Sequence, residues 1–255
     1  MNSPANGKTS ILKDASTVLK QIFGSGNPAG KASRLTLAVG VVLAVVCYFL
    51  VDRPWLNYAG SWWRTTPLRG DICESIGWYG DFFPFNLTLF VLLFATGRFG
   101  RSRFLTRLAV VSLLSGSLAG GVALITKSLS GRPRPRTVLG HKKSSNPDEF
   151  RGPFHGAAWE SFPSGHAASS MGAAVPLVLA APEIGVPVVC LSVCIGGSRL
   201  VGLNHYPSDV IAGASLGLFF GLRGGWSLCM IRKRLRSRER ARALVTSHTG
   251  ISNAL

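Results

Sequence analysis

Three short groups of polar residues carry the side-chain types that phosphoryl chemistry needs. "KSLSGRPRPR" brings Lys127, Arg132, Arg134 and Arg136 close together, "PSGH" covers residues 163–166, and "SRLVGLNHYPSD" sets Arg199, His205 and Asp209 within residues 198–209. Arginine offers a planar fork to phosphate oxygens and lysine a compact ammonium, so Lys127, Arg134 and Arg199 are candidates to hold a phosphate. Ser164 and Gly165, read as the start of a helix, add a hydroxyl and backbone N–H donors at the positive end of the dipole. Two histidines complete the set, because one can attack phosphorus while the other protonates the leaving oxygen. His205 is the candidate nucleophile. Asp209 lies four residues on, and with Pro207 in the first helical turn its carboxylate can reach back to fix the tautomer of His205. The same carboxylate would stabilise the cation that develops on attack. His166 is the candidate acid.

Each group alone also fits a plain role: a solvated basic flank, a capped turn, a loop histidine before a proline. Their chemical value depends on meeting at one place, and that depends on the elements that carry them. The chain has 255 residues, 47% hydrophobic and 15% charged, with a formal net charge of +17. Its mean hydropathy is positive. That combination indicates a basic integral membrane protein and argues against nucleic-acid binding, where a similar charge excess sits on a polar background. The five cysteines are scattered and suggest neither a disulfide framework nor a zinc site. Cys190 and Cys194 are expected to be small packing residues on one helix face.

A hydrocarbon core of about 30 Å needs roughly 20 apolar helical residues. Six apolar runs are candidates, at 35–51, 82–97, 104–126, 165–181, 186–203 and 210–231. The expected fold is therefore all-α, a membrane bundle of six helices. Lysine and arginine crowd the leader, the loop around Arg98, Arg101 and Arg103, and the tail from Arg232 to Arg242. With six spans these segments share one side, which sets both termini in the cytoplasm. The expected divisions are a leader over 1–34 with an amphipathic surface helix, a membrane domain over 35–231, and a basic tail over 232–255. The first outer loop carries Trp55, Tyr58, Trp62, Trp63, Trp78 and Tyr79, expected to be mainly an aromatic anchor at the interface. On this topology all three polar groups, within 127–209, reach the outer face.

The spacing now supports a resemblance. A lysine, six residues, then Arg-Pro; Pro-Ser-Gly-His; and Ser-Arg, five residues, His, three residues, Asp together resemble the signature of the type 2 phosphatidic acid phosphatase and vanadium haloperoxidase superfamily. Every motif position is filled in order. The resemblance implies His166 as general acid, His205 as nucleophile forming a phosphohistidine, Asp209 orienting His205, and Lys127, Arg134, Ser164, Gly165 and Arg199 holding the phosphate. It implies no metal and no cofactor. Arg132 and Arg136 fall outside the matched positions and are read as headgroup or flank charges. The six spans favour the membrane lipid phosphatase branch over the soluble haloperoxidases.

The expected activity is hydrolysis of a lipid phosphate or diphosphate at the outer face of a bacterial-type inner membrane. Phosphatidic acid, phosphatidylglycerol phosphate, polyprenyl diphosphates and lipid A all fit, and membrane lipids are the expected surroundings. A lipid phosphotransferase using the same site is one alternative. A phospholipid-binding or transport protein is another, against which the histidine pair stands, since binding needs no nucleophile. The polar insert over 136–160, with His141 and His155, is expected to select the headgroup.

Overall fold

The computed structural model describes residues 29–63, 82–140 and 146–252, with the single positions 24, 72, 75, 76 and 78. The leader helix, His141, Tyr79 and much of the first outer loop lie outside the described residues. Among those described, all regular structure is helical: α1 Gly30–Leu50, α2 Asp52–Trp63, a π-helical turn Phe82–Leu87 running into α3 Thr88–Phe99, α4 Arg103–Ser130, α5 Pro135–Gly140, α6 Gly165–Ala180, α7 Pro182–Val201 and α8 Pro207–Ser252. Gly30–Leu50, Arg103–Gly140 and Pro182–Val201 are long and apolar enough to cross a membrane, whereas Pro84–Phe99 and Gly165–Ala180 are shorter apolar helices.

The first helix wears its larger apolar side chains outward. On α1 the bulky Leu35, Val42 and Phe49 are exposed, while Ser33, Gly40, Ala44 and Cys47 are buried. Lipid tails are as apolar as leucine, so burying large aliphatics gains little in a bilayer, and close contact between small residues takes over as the means of association. The same logic builds the centre, where α8 packs on α6, α4 and α1, and α6 packs on α4 and α7. Gly213, Gly217, Gly221 and Gly225 recur every fourth residue on α8 and form one stripe against α6. A Cβ on Gly213 would come within 2.2 Å of the Ser164 carbonyl, and one on Gly217 within 2.7 Å of the Ala168 carbonyl. Those glycines let the start of α8 lie directly against the start of α6, which is where two of the three polar groups are.

The ends follow local rules. Ser102 caps α4, its Oγ accepting from the Leu105 N–H at 3.3 Å, and Gly131 closes α4 in the left-handed conformation at φ 64°. Pro182 opens α7 and Pro207 opens α8, the position where a missing N–H costs least. Beyond 231 the basic tail continues α8 as helix to Ser252. It is rich in Arg, Leu and Ala, all good helix formers, and "IRKRLRSRERARALV" contains neither glycine nor proline. Cys190 and Cys194 correct the packing expectation: both are exposed on α7.

Candidate active site

Gly131 turns the chain at the end of α4, and the segment that follows is strapped by the returning insert. Arg134 N–H donates to the Ala158 carbonyl at 2.9 Å, Ser161 N–H to the Arg132 carbonyl at 3.1 Å, and Arg151 N–H to the Gly131 carbonyl at 3.1 Å. A Cβ on Gly131 would sit 2.2 Å from the Gly152 carbonyl, so this close strapping requires glycine there. The insert thus lies against the first polar group and delivers Ser161 to its centre. Ser164 caps α6 and is wholly buried, its own N–H donating to the Asp209 carbonyl at 3.0 Å. At the end of α7 the Arg199 carbonyl accepts from both Asn204 N–H, at 3.0 Å, and His205 N–H, at 3.2 Å. That tight turn, with Leu203 at φ 54°, folds His205 back over the helix end.

The three groups therefore converge. The rings of His166 and His205 lie with centroids 6.4 Å apart, tilted by 60°. Arg134 Nη1 donates to Asn204 Oδ1 at 3.1 Å, and Lys127 Nζ lies 3.5 Å from Glu160 Oε2. Burial, with the neighbouring charges of Arg136 and Arg199, pushes the Arg134 guanidinium down to about 10. Cations held this close repel one another, and a phosphate between them would relieve the repulsion. Gly165, at the start of α6, has open space where a Cβ would point.

His205 is 2% exposed. Its Nδ1 lies 2.7 Å from the Ser161 carbonyl, whereas the Asp209 carboxylate is 3.8 Å away. A carbonyl can only accept, so Nδ1 carries the hydrogen and Nε2 keeps its lone pair. Burial pushes His205 down to about 4, against the opposing pull of Asp209, with Arg134 and His166 adding to the depression. The ring is neutral at pH 7. Asp209, wholly buried, is occupied elsewhere: Oδ2 accepts from Ser161 Oγ at 2.5 Å and Tyr206 N–H at 2.8 Å, and Oδ1 from Arg132 Nη1 at 2.5 Å.

Arg132 corrects the expectation of a flank charge. It is 1% exposed and bridges two carboxylates, Asp209 and Asp52, the latter through Nη2 to Oδ2 at 2.7 Å. Its Cζ lies 4.0 Å from the centroid of the buried Tyr206 ring. Asp52, Arg132 and Ser161 carry no motif spacing, and the contact between Asp52 and Arg132 spans 80 residues. One signal was in the sequence: Asp52 is an acid placed directly at the end of the first apolar run. Arg136 is exposed, as expected of a flank, and its N–H donates to the Leu203 carbonyl. His155 is exposed, its Nδ1 3.4 Å from the Gly152 carbonyl. Among the expected aromatic anchors, Tyr58 and Trp78 are exposed, but Trp55 turns inward with its ring 6.1 Å from Tyr206. No group of metal-ligating side chains occurs among the described residues.

The His205 environment has a measurable consequence for stability. Its folded value of about 4 lies below the ordinary 6.5, so between these limits the unfolded chain takes up a proton that the folded one refuses. Stability is then full above the ordinary value and falls as pH drops toward about 4, by roughly 3 kcal/mol from this group. Unfolding followed in detergent from neutral pH to about pH 4.5 should show this slope, and His205→Asn should flatten it.

Comparison with known proteins agrees with this architecture. The PAP2 superfamily pattern matches residues 104–236. A lipid A 1-phosphatase of Rhizobium johnstonii is 32% identical over 142 residues, covering 52% of this chain and 57% of that protein. One from Rhizobium etli is 31% identical over 162 residues, covering 60% and 68%. A third lipid A 1-phosphatase, from Porphyromonas gingivalis, is 30% identical over 131 residues, covering 50% of this chain and 25% of its own length. The matches thus span little over half of the first relative and a quarter of the third. The crystal structure of a transmembrane PAP2-type phosphatidylglycerolphosphate phosphatase from Bacillus subtilis superposes with a TM-score of 0.53 at 20% identity, covering 79% of this chain and 96% of that one, which is a likeness of fold. With its signature residues converged at the ends of helices built to cross a bilayer, the chain is an integral membrane protein and belongs to the PAP2 superfamily.

Proposed function

We propose that the protein is a membrane lipid phosphatase that hydrolyses a phosphomonoester or diphosphate through a phosphohistidine on His205. The observation that carries this is the neutral His205, its Nδ1 hydrogen committed to Ser161 and its Nε2 lone pair free, facing His166 beside the cluster of Arg134 and Arg199. Nε2 attacks phosphorus, the bond from phosphorus to the leaving oxygen breaks, and His166 gives that oxygen its proton. Water then attacks phosphorus, loses a proton to His166, and the phosphorus–nitrogen bond breaks to release phosphate and restore Nε2. The Ser161 carbonyl and the nearby Asp209 carboxylate stabilise the imidazolium formed in between. Lys127, Arg134, Arg199, Ser164 and the Gly165 N–H hold the phosphate oxygens.

The domain runs over 35–231 as six spans, with the termini in the cytoplasm and the site at the outer face of the inner membrane. The basic leader, the loop at Arg98–Arg103 and the tail support that orientation. An apolar cavity of about 310 Å³ lies between α1 and α8, lined by Val41, Val45, Phe49, Phe150, Phe162 and Ser208 among others. Phe162 and Ser208 adjoin Ser161 and Asp209 in sequence, so an acyl chain there would lie beside the site. The lipid A 1-phosphatase relatives favour the phosphate of a lipid A-type glycolipid over the other classes.

A phosphate-release panel tests the proposal: lipid A, phosphatidic acid, phosphatidylglycerol phosphate and a polyprenyl diphosphate, given to the purified chain and to right-side-out and inverted vesicles. Release is expected to be fastest from lipid A and stronger in right-side-out vesicles. Silence toward every lipid phosphate would overturn the activity, and faster release from inverted vesicles would overturn the sidedness.

A further inference from the structure

We infer that Asp52, just beyond the first membrane helix, and Arg132 are positioning residues that aim His205, an inference that rests on His205 being the nucleophile. The chain of contacts is continuous. Asp52 opens α2 directly after α1. Its Oδ2 accepts from Arg132 Nη2 at 2.7 Å, Arg132 Nη1 reaches Asp209 Oδ1 at 2.5 Å, and Asp209 Oδ2 accepts from Ser161 Oγ at 2.5 Å. The Ser161 carbonyl then takes the His205 Nδ1 hydrogen. Arg132 also holds Ser161 from the backbone, its carbonyl accepting the Ser161 N–H at 3.1 Å. Asp52 fixes the start of α8 as well, its Oδ1 accepting from the Ser208 N–H at 3.0 Å, and Ser208 Oγ bonds to both Asp52 and Arg132.

Two features separate this network from a simple staple between helices. The Asp209 carboxylate lies 3.8 Å from the imidazole, beyond hydrogen-bond reach, so in this state Nδ1–H donates directly to the carbonyl of Ser161, which the network fixes through both its hydroxyl and its N–H. Arg132 is 1% exposed and locked between two carboxylates, whereas Lys127 and Arg134 remain partly open toward the site. Arg132 thus serves geometry and leaves phosphate binding to the other cations. Asp52 also lies outside the 104–236 match, so this support comes from a part of the chain beyond the matched region.

Asp52→Asn in the full chain, purified in detergent, tests the inference on whichever lipid phosphate the wild type cleaves fastest. A misaimed nucleophile lowers kcat, here by about ten- to a hundredfold. KM and the Kd for inorganic phosphate should stay within about twofold, because Lys127, Arg134 and Arg199 are untouched. Asp52→Glu should recover part of kcat. Arg132→Lys should not, since one ammonium cannot fork to two carboxylates. Wild-type kcat in Asp52→Asn, or a loss shared equally by kcat and inorganic phosphate binding, would overturn the inference. Should Asp52→Asn fail to fold, Ser208→Ala removes two hydrogen bonds without stranding a charge; a drop in kcat of about threefold at constant affinity for inorganic phosphate is expected, and an unchanged kcat would overturn it. A wild type silent on every lipid phosphate would instead sink the phosphatase proposal, while an active wild type with an unaffected Asp52→Asn sinks this inference alone.

Discussion

His205→Ala should lower kcat for phosphate release by about ten-thousandfold or more while the protein still binds inorganic phosphate. The size of the effect follows from the role: without Nε2 no covalent intermediate forms, and water must attack a phosphate that no activated nucleophile has engaged. The cations remain, so anion binding should persist. His205→Asn makes a useful companion, since it keeps a polar group near the Ser161 carbonyl while removing the nucleophile. Phosphate release measured against inorganic phosphate binding separates the two roles. A variant that keeps a tenth of wild-type turnover would rule out covalent catalysis at this position.

The candidate residues that bear chemistry were legible in the sequence because their spacing carries them. Lys127, Arg134, Ser164, His166, Arg199, His205 and Asp209 stand at fixed intervals beside helix ends, and the topology brings those ends together. The helical class was legible from apolar runs, and Pro207 announced the start of α8. Other features rest on contacts between distant segments, which spacing does not encode. Arg132 looks like its neighbours Arg134 and Arg136 in sequence, but the left-handed Gly131 turn and the strapped insert bury it against Asp52 and Asp209. Ser161 leaves no mark in the sequence because it meets His205 through a backbone carbonyl, a group every residue has. A direct hydrogen bond from His205 to Asp209 is the expectation that a four-residue spacing supports. In the fold, Arg132, Tyr206 N–H and Ser161 Oγ take up the carboxylate first.

The second large effect should come from His166→Ala, and it should depend on the leaving group. With an alkyl or glycosyl phosphate the leaving oxygen is a poor one, so loss of the acid facing His205 should cut formation of the phosphoenzyme by about a hundredfold to ten-thousandfold. With an aryl phosphate such as p-nitrophenyl phosphate the leaving oxygen departs without a proton, so formation should survive. Hydrolysis of the phosphohistidine still needs a base to take the proton of the attacking water, and that base is the same His166. The variant should therefore release a burst of nitrophenolate and then stall with phosphate on His205. A phosphoramidate is labile in acid and stable in alkali, so an alkaline denaturing quench followed by peptide mapping should recover the label on the peptide containing His205. The double variant lacking both histidines should show no burst. Equal slowing of aryl and lipid phosphates in His166→Ala, with no accumulated label, would mean that His166 binds phosphate and transfers no proton, and the division of labour between the two rings would have to be redrawn.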